Sequence, residues 1–87
     1  MYVIIVYDVS VDRVNKVKKF LRKYLFWIQN SVFEGELSEA DYEEVKAGLK
    51  EIIDEEEDMV VFYRFRSEKI VKKEVMGFDK SKTGEIL

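Results

Sequence analysis

The sequence contains no cysteine. That excludes a disulfide staple and a thiolate metal site. It contains no histidine either, which removes the commonest general base, the usual zinc ligand and any Ser-His-Asp triad. Chemistry in this chain must rest on carboxylates, hydroxyls, lysine, arginine and a hard metal ion. Glycine is scarce: four residues, scattered along the chain. They form no Gly-rich phosphate loop, so no nucleotide cofactor is implied. No apolar run approaches the roughly 20 residues of a membrane helix. Met1–Val9 is apolar but lacks the basic flank of a secretory signal. The expected location is cytoplasmic, with no membrane partner.

The residues that are present fit one small domain. With 87 residues the chain buries only about 60% of its unfolded surface, so help from a partner is expected. Hydrophobic residues make up 47% and charged residues 38%, a globular rather than a disordered composition. The net charge of −3 weighs against a non-specific nucleic-acid coat protein, but the charges are segregated. From Arg13 to Lys23 every charged residue is basic: Arg13, Lys16, Lys18, Lys19, Arg22 and Lys23. From Glu39 to Asp58 nearly all are acidic. The two regions therefore suit opposite partners.

Tyr2–Val9 (YVIIVYDV) is a β-branched and aromatic run that reads as a strand. Ser10 or Asp12 can cap a helix starting just after it. Val14, Val17, Phe20, Leu21, Tyr24 and Leu25 then fall at helical spacing with basic residues between them, giving an amphipathic helix. Phe26–Leu37 is a second extended segment, broken near Gly35, long enough for two paired strands or one bent strand. Ser38–Asp41 opens a second helix with a capping-box pattern, whose buried stripe is Tyr42, Val45, Leu49, Ile52 and Ile53. The acidic run Asp54–Asp58 closes it, and acids at a helix C-terminus oppose the dipole, so fraying is expected there. Met59–Phe65 is another strand, and Ile70–Phe78 reads as one more.

The order is that of an α+β, ferredoxin-like βαββαβ sandwich with an extra C-terminal strand. Residues 1–78 form the single domain and 79–87 a polar tail. In this arrangement the first and last core strands are expected side by side in the centre of the sheet, with both helices on one face. A sheet covered on one face should alternate apolar and polar residues. Tyr2–Val6 and Met59–Tyr63 do not. Both sheet faces call for burial, and a second copy packed on the bare face supplies it. The alternative is that central strands are simply apolar.

Asp8 is a lone carboxylate at the C-terminal end of the apolar first strand. It can serve a ligand site, or it can cap the turn after Val9. In a sheet-to-sheet homodimer, Asp8 of each copy can approach the other. Facing carboxylates repel unless a cation lies between them. Oxygen ligands with retained waters suit Mg²⁺, with Mn²⁺ possible. Such an ion polarises a phosphodiester and lowers the pKa of bound water. One carboxylate per chain cannot build an all-protein two-metal site, so hydrolysis is expected to be slow, interface-dependent or conditional on a conformational change.

Arg13, Lys16, Lys19 and Lys23 on the first helix are candidate nucleic-acid contacts to phosphate. The alternative is a solvated face paired with the acidic second helix. Arg64 and Arg66 either extend a phosphate track or decorate a strand surface. Tyr7, Trp27 and Phe33 either stack on bases or pack in the core. No aromatic-basic RNA-reading motif is present.

Tyr7-Asp8 at the end of an apolar first strand, the basic helix after it, and Ile28-Gln29-Asn30-Ser31-Val32-Phe33-Glu34-Gly35 together resemble the CRISPR-associated Cas-two family. The last stretch is similar to that family's IQ-x-SVFEG signature, and the resemblance runs from Tyr2 to about Phe65. It implies a ferredoxin-like homodimer in which the C-terminal strand, here Ile70–Phe78, adds to the partner's sheet. It also implies Asp8 as the catalytic, Mg²⁺-binding residue at the dimer interface, with Tyr7, Ser31 and Phe33 adjacent. The implied activity is a metal-dependent endonuclease acting on RNA or DNA. The implied partner is the CRISPR integrase (Cas-one), in spacer acquisition. Before the IQ pair, where the family often carries a basic residue, this chain has Trp27. Two functions are compatible with these residues: an Mg²⁺-dependent endonuclease, or a non-catalytic dimeric adaptor that braces the integrase and binds duplex DNA. A third is an unrelated ferredoxin-like binding module.

Overall fold

The computed structural model describes residues 1–82; the end of the expected polar tail lies outside the described residues. Its elements run β1 (Tyr2–Asp8), α1 (Val11–Leu21), β2 (Phe26–Gln29), β3 (Val32–Glu36), α2 (Glu39–Ile52) and β4 (Met59–Phe65). Two short 3-10 turns come next, Glu68–Ile70 and Lys80–Lys82. The four strands form one antiparallel sheet in the order β2-β3-β1-β4. This is the α+β arrangement expected from the order of elements. One expectation needs correcting: β4 lies beside β1 but at the sheet edge, and the central pair is β1 and β3.

The period-2 alternation of β1 divides the sheet cleanly. Val3, Ile5 and Tyr7 point to the helices and join Phe33 of β3 with Val17, Leu21, Leu25, Tyr42, Val45 and Leu49 in one buried cluster. Phe33 and Ile5 face each other in the β1–β3 register, and both are fully buried. The helices can close over this core because α2 carries Gly48, where a Cβ would lie 2.2 Å from the Phe20 ring of α1.

Several local expectations change. The extended middle segment breaks at Asn30–Ser31, not near Gly35, which lies inside β3. Gly35 is needed for a different reason: a Cβ there would press to 3.1 Å from the Leu25 side chain. Ser10 occupies the N-cap position of α1 but its side chain makes no cap bond, whereas Ser38 caps α2 as expected, accepting from the Asp41 N–H at 3.0 Å. The acidic run Asp54–Asp58 does not fray. It folds into a turn whose acids accept its own N–H groups, Glu56 to the Asp54 carboxylate and Asp54 to the Asp58 carboxylate. Val71–Phe78 pairs with no strand among the described residues.

Candidate functional site

The other face of the sheet carries no helix. Its side chains are set by the register: Tyr2, Ile4, Val6 and Asp8 of β1, Val32, Glu34 and Glu36 of β3, Phe26 of β2, and Met59, Val61, Tyr63 and Phe65 of β4. Phe26 is 73% exposed, Met59 63% and Tyr63 52%. A continuous apolar surface of this kind marks an interaction site.

Three carboxylates interrupt it, and their surroundings differ. Glu34 is buried and accepts from the Lys73 ammonium at 2.6 Å. Burial, with the Glu34 charge behind it, pushes the Tyr2 hydroxyl up to about 12. Glu36 lies 2.9 Å from the Met1 amino group. Asp8 is exposed, opposite Met59 in the register, and among the described residues its carboxylate has no hydrogen-bond or ion-pair partner. No group of three metal-ligating side chains exists among the described residues. One chain therefore offers a single anionic oxygen donor group at this place, which suits a hard cation that keeps most of its waters.

The signature residues surround Asp8 from the core side. The Tyr7 N–H donates to the Ser31 carbonyl at 3.1 Å, so the β2–β3 turn sits against the end of β1. The Tyr7 and Phe33 rings stack at 6.3 Å. Both are buried on the helix side, and burial pushes the Tyr7 hydroxyl up to about 12. They support the strand end and are closed to a stacking base. Trp27 is half-buried and donates from Nε1 to the Asn30 carbonyl at 3.3 Å.

The basic residues divide. Lys16, Lys19 and Lys23 are exposed and have no ion-pair partner among the described residues. The expected alternative, pairing with acidic α2, is not formed by them. They belong to the helix layer, whereas Asp8 is on the open sheet face, so one protomer does not bring them together. Arg13 is engaged within the protomer. Its guanidinium grips Asp58 through Nε at 2.7 Å and through Nη2 at 3.1 Å. It clamps the start of α1 to the turn before β4. Arg64 is likewise engaged, 4.5 Å over the Tyr42 ring and 3.6 Å from Glu39.

Asp58 was not legible among its acidic neighbours. Its side chain is 1% exposed and accepts from Arg13, from the Ser10 N–H at 3.0 Å and from the Asp54 N–H at 2.9 Å. The Arg13 hydrogen bond, helped by the two backbone N–H groups and opposed by burial, holds its carboxyl far below the usual carboxylate range. A depressed folded pKa gives stability that is present above the unfolded value of about 3.9 and lost as pH falls below it. We expect Asp58→Asn to be less stable than the parent at pH 7 and to lose less of its remaining stability between pH 5 and 2. Urea midpoints across that range measure both.

A model of the family described as CRISPR associated protein Cas2 matches residues 1–73. The chain is 68% identical over 85 residues to the CRISPR-associated endoribonuclease Cas2 2 of Archaeoglobus fulgidus, spanning 98% of this chain and 92% of that one. It is 58% identical over 87 residues to the CRISPR-associated endoribonuclease Cas2 of Thermococcus kodakarensis, covering 100% of both. A solved crystal structure of cas2 superposes with a TM-score of 0.86 at 52% identity, over 100% of this chain and 98% of that chain. Streptococcus pyogenes Cas2 superposes with a TM-score of 0.79 at 32% identity, over 88% of this chain and 100% of that chain.

Proposed function

Because the chain belongs to the CRISPR associated protein Cas2 family, we propose that it is an Mg²⁺-dependent endonuclease of the CRISPR spacer-acquisition machinery, working as a homodimer on RNA or DNA phosphodiesters. The relatives named endoribonucleases support the reaction class. One observation carries the site: Asp8 is the carboxylate of the open face that has no partner among the described residues. Two copies joined by that face bring two Asp8 carboxylates to one place, and these are the residues that would hold the ion. A bound Mg²⁺ there supplies polarisation of the phosphodiester and a water of lowered pKa. Asp8 would position that ion and its waters, beside Val6, Val61 and Met59 of the same face. Cleavage of labelled RNA or DNA that requires Mg²⁺ and stops with a chelator supports the reading; cleavage indifferent to the chelator removes it.

A second reading is a non-catalytic adaptor that braces the CRISPR integrase (Cas-one) and holds duplex DNA. It is favoured by the position of Lys16, Lys19 and Lys23, exposed and unpaired on a different layer from Asp8. Each phosphate neutralised contributes about −0.9 to the log–log salt slope on duplex DNA. Charge reversal at all three lysines should flatten that slope by roughly 2–3 and weaken binding without altering the fold. A slope unchanged by the reversal places the DNA elsewhere.

A further inference from the structure

The Asp8 side chain is not held by any bond of its own, since its carboxylate has no partner among the described residues. Its place is set by the backbone on either side. Across the sheet Asp8 faces Met59, the last rung of the β1–β4 ladder. Along the chain it leads through Val9 and Ser10 into α1. Both supports end on one residue. Asp58 directly precedes Met59, and its carboxylate accepts from the Ser10 N–H at 3.0 Å.

Asp58 accepts four hydrogen bonds from three separate pieces of chain: Ser10 in the β1–α1 link, Arg13 in the first turn of α1 through Nε and Nη2, and Asp54 in the turn after α2. They fill the acceptor sites of an ionised carboxylate. A buried ion pair is a poor way to gain stability, because well-packed apolar residues often serve as well. What the carboxylate adds is direction. It fixes the Ser10 N–H at one point. The Ser10 carbonyl in turn accepts from the N–H groups of Arg13 and Val14, at 2.9 and 3.0 Å. The Ser10 backbone is thereby held on both sides, while its side chain makes no cap bond.

We propose that Asp58 is a positioning residue for Asp8. By holding Ser10 and Met59 in one frame it aims the end of β1, so that the Asp8 carboxylate meets a hard cation already ordered. A ligand group held by its surroundings binds more tightly than one that must be ordered on binding. Asp58 is buried behind the turn, its side chain 1% exposed, and acts only through the backbone. The inference rests on the reading of Asp8 as the ion's ligand.

The test is Mn²⁺ binding, followed through the electron paramagnetic resonance signal of the free ion, for wild type, Asp8→Asn, Asp58→Asn, Ser10→Pro and Leu37→Ala. Ser10→Pro is the cleanest change. Ser10 has φ −55°, within the range that proline imposes, so the N–H is deleted and the backbone stays where it is. Leu37→Ala is the control, opening the core at the opposite end of the sheet, beside Met1. Asp8→Asn should abolish binding. Asp58→Asn should weaken it roughly tenfold, the lower end of what losing an outer partner costs a metal site. Ser10→Pro should weaken it by about threefold or more, in the same direction. Leu37→Ala should lose stability and bind Mn²⁺ as the wild type does. Where Asp58→Asn does not fold, Ser10→Pro decides alone. Ser10→Pro binding as tightly as wild type overturns the inference, as does Leu37→Ala weakened by as much as Ser10→Pro; either leaves Asp8 as the ligand. Wild-type binding that is absent, or that survives Asp8→Asn, overturns the reading beneath it.

Discussion

Asp8→Asn should lower Mg²⁺-dependent cleavage by roughly 100-fold or more while leaving the protomer as stable as the parent. Loss of a group one shell further from a metal already reduces affinity or activity 10–100-fold, and on the proposed reading a direct ligand is removed from both copies at once. Asparagine keeps the size of the side chain and removes its charge. Asp8 is exposed and bonds to nothing among the described residues, so the stability change should fall within about 0.5 kcal/mol. A separate consequence distinguishes a metal site from an ordinary surface acid. Without metal, two facing aspartates repel, so the metal-free dimer of Asp8→Asn should be at least as tight as that of wild type. Undiminished cleavage by the variant would remove Asp8 from the reaction and leave the adaptor reading.

Phe33→Ala should be among the most destabilising single changes, by about 3–5 kcal/mol. Phe33 stands within the signature stretch next to the proposed site, yet it is fully buried and packed against Tyr7 on the helix side of the sheet. At 0.05–0.15 kcal/mol per residue, a domain of this size holds roughly 4–13 kcal/mol in total. The substitution thus removes about a quarter of it or more. Urea unfolding monitored by circular dichroism gives the difference. A loss under about 1 kcal/mol, with cleavage abolished, would instead assign the ring to the site.

Much of the molecule around these two residues was readable in the sequence. The apolar run of β1, the helical stripe from Val14 and the Ser38 cap each carry a periodicity or a bonding pattern that is local, and each element formed where that pattern lay, except that α1 ends at Leu21 and leaves Tyr24 and Leu25 in the turn that follows. The bare face was legible because Ile4 and Val6 lack the polar alternation a solvated face requires. Asp8 was legible as a charge ending an apolar strand. Other features depend on distant partners. Arg13 belonged to a basic run and Asp58 to an acidic one, and nothing local set either apart from its neighbours. The fold brings together residues 45 apart in the chain, pairs Arg13 with Asp58 and makes Asp58 the anchor of the first helix. The same holds for Glu34 and Lys73, 39 residues apart. β4 looked central because its composition is that of a strand buried on both faces. It is an edge strand whose outward face is apolar, the pattern expected of a surface that meets another protein.

The central claim is that two open sheet faces meet and bring the Asp8 positions together. The chain has no cysteine, so Asp8→Cys and Asn15→Cys each carry one thiol, the first on the open face and the second on the outer surface of α1. Treatment of each with a short bis-maleimide should give a covalent dimer of twice 10.4 kDa from Asp8→Cys and little from Asn15→Cys. Equal yields from the two variants, or a yield confined to Asn15→Cys, would contradict the account.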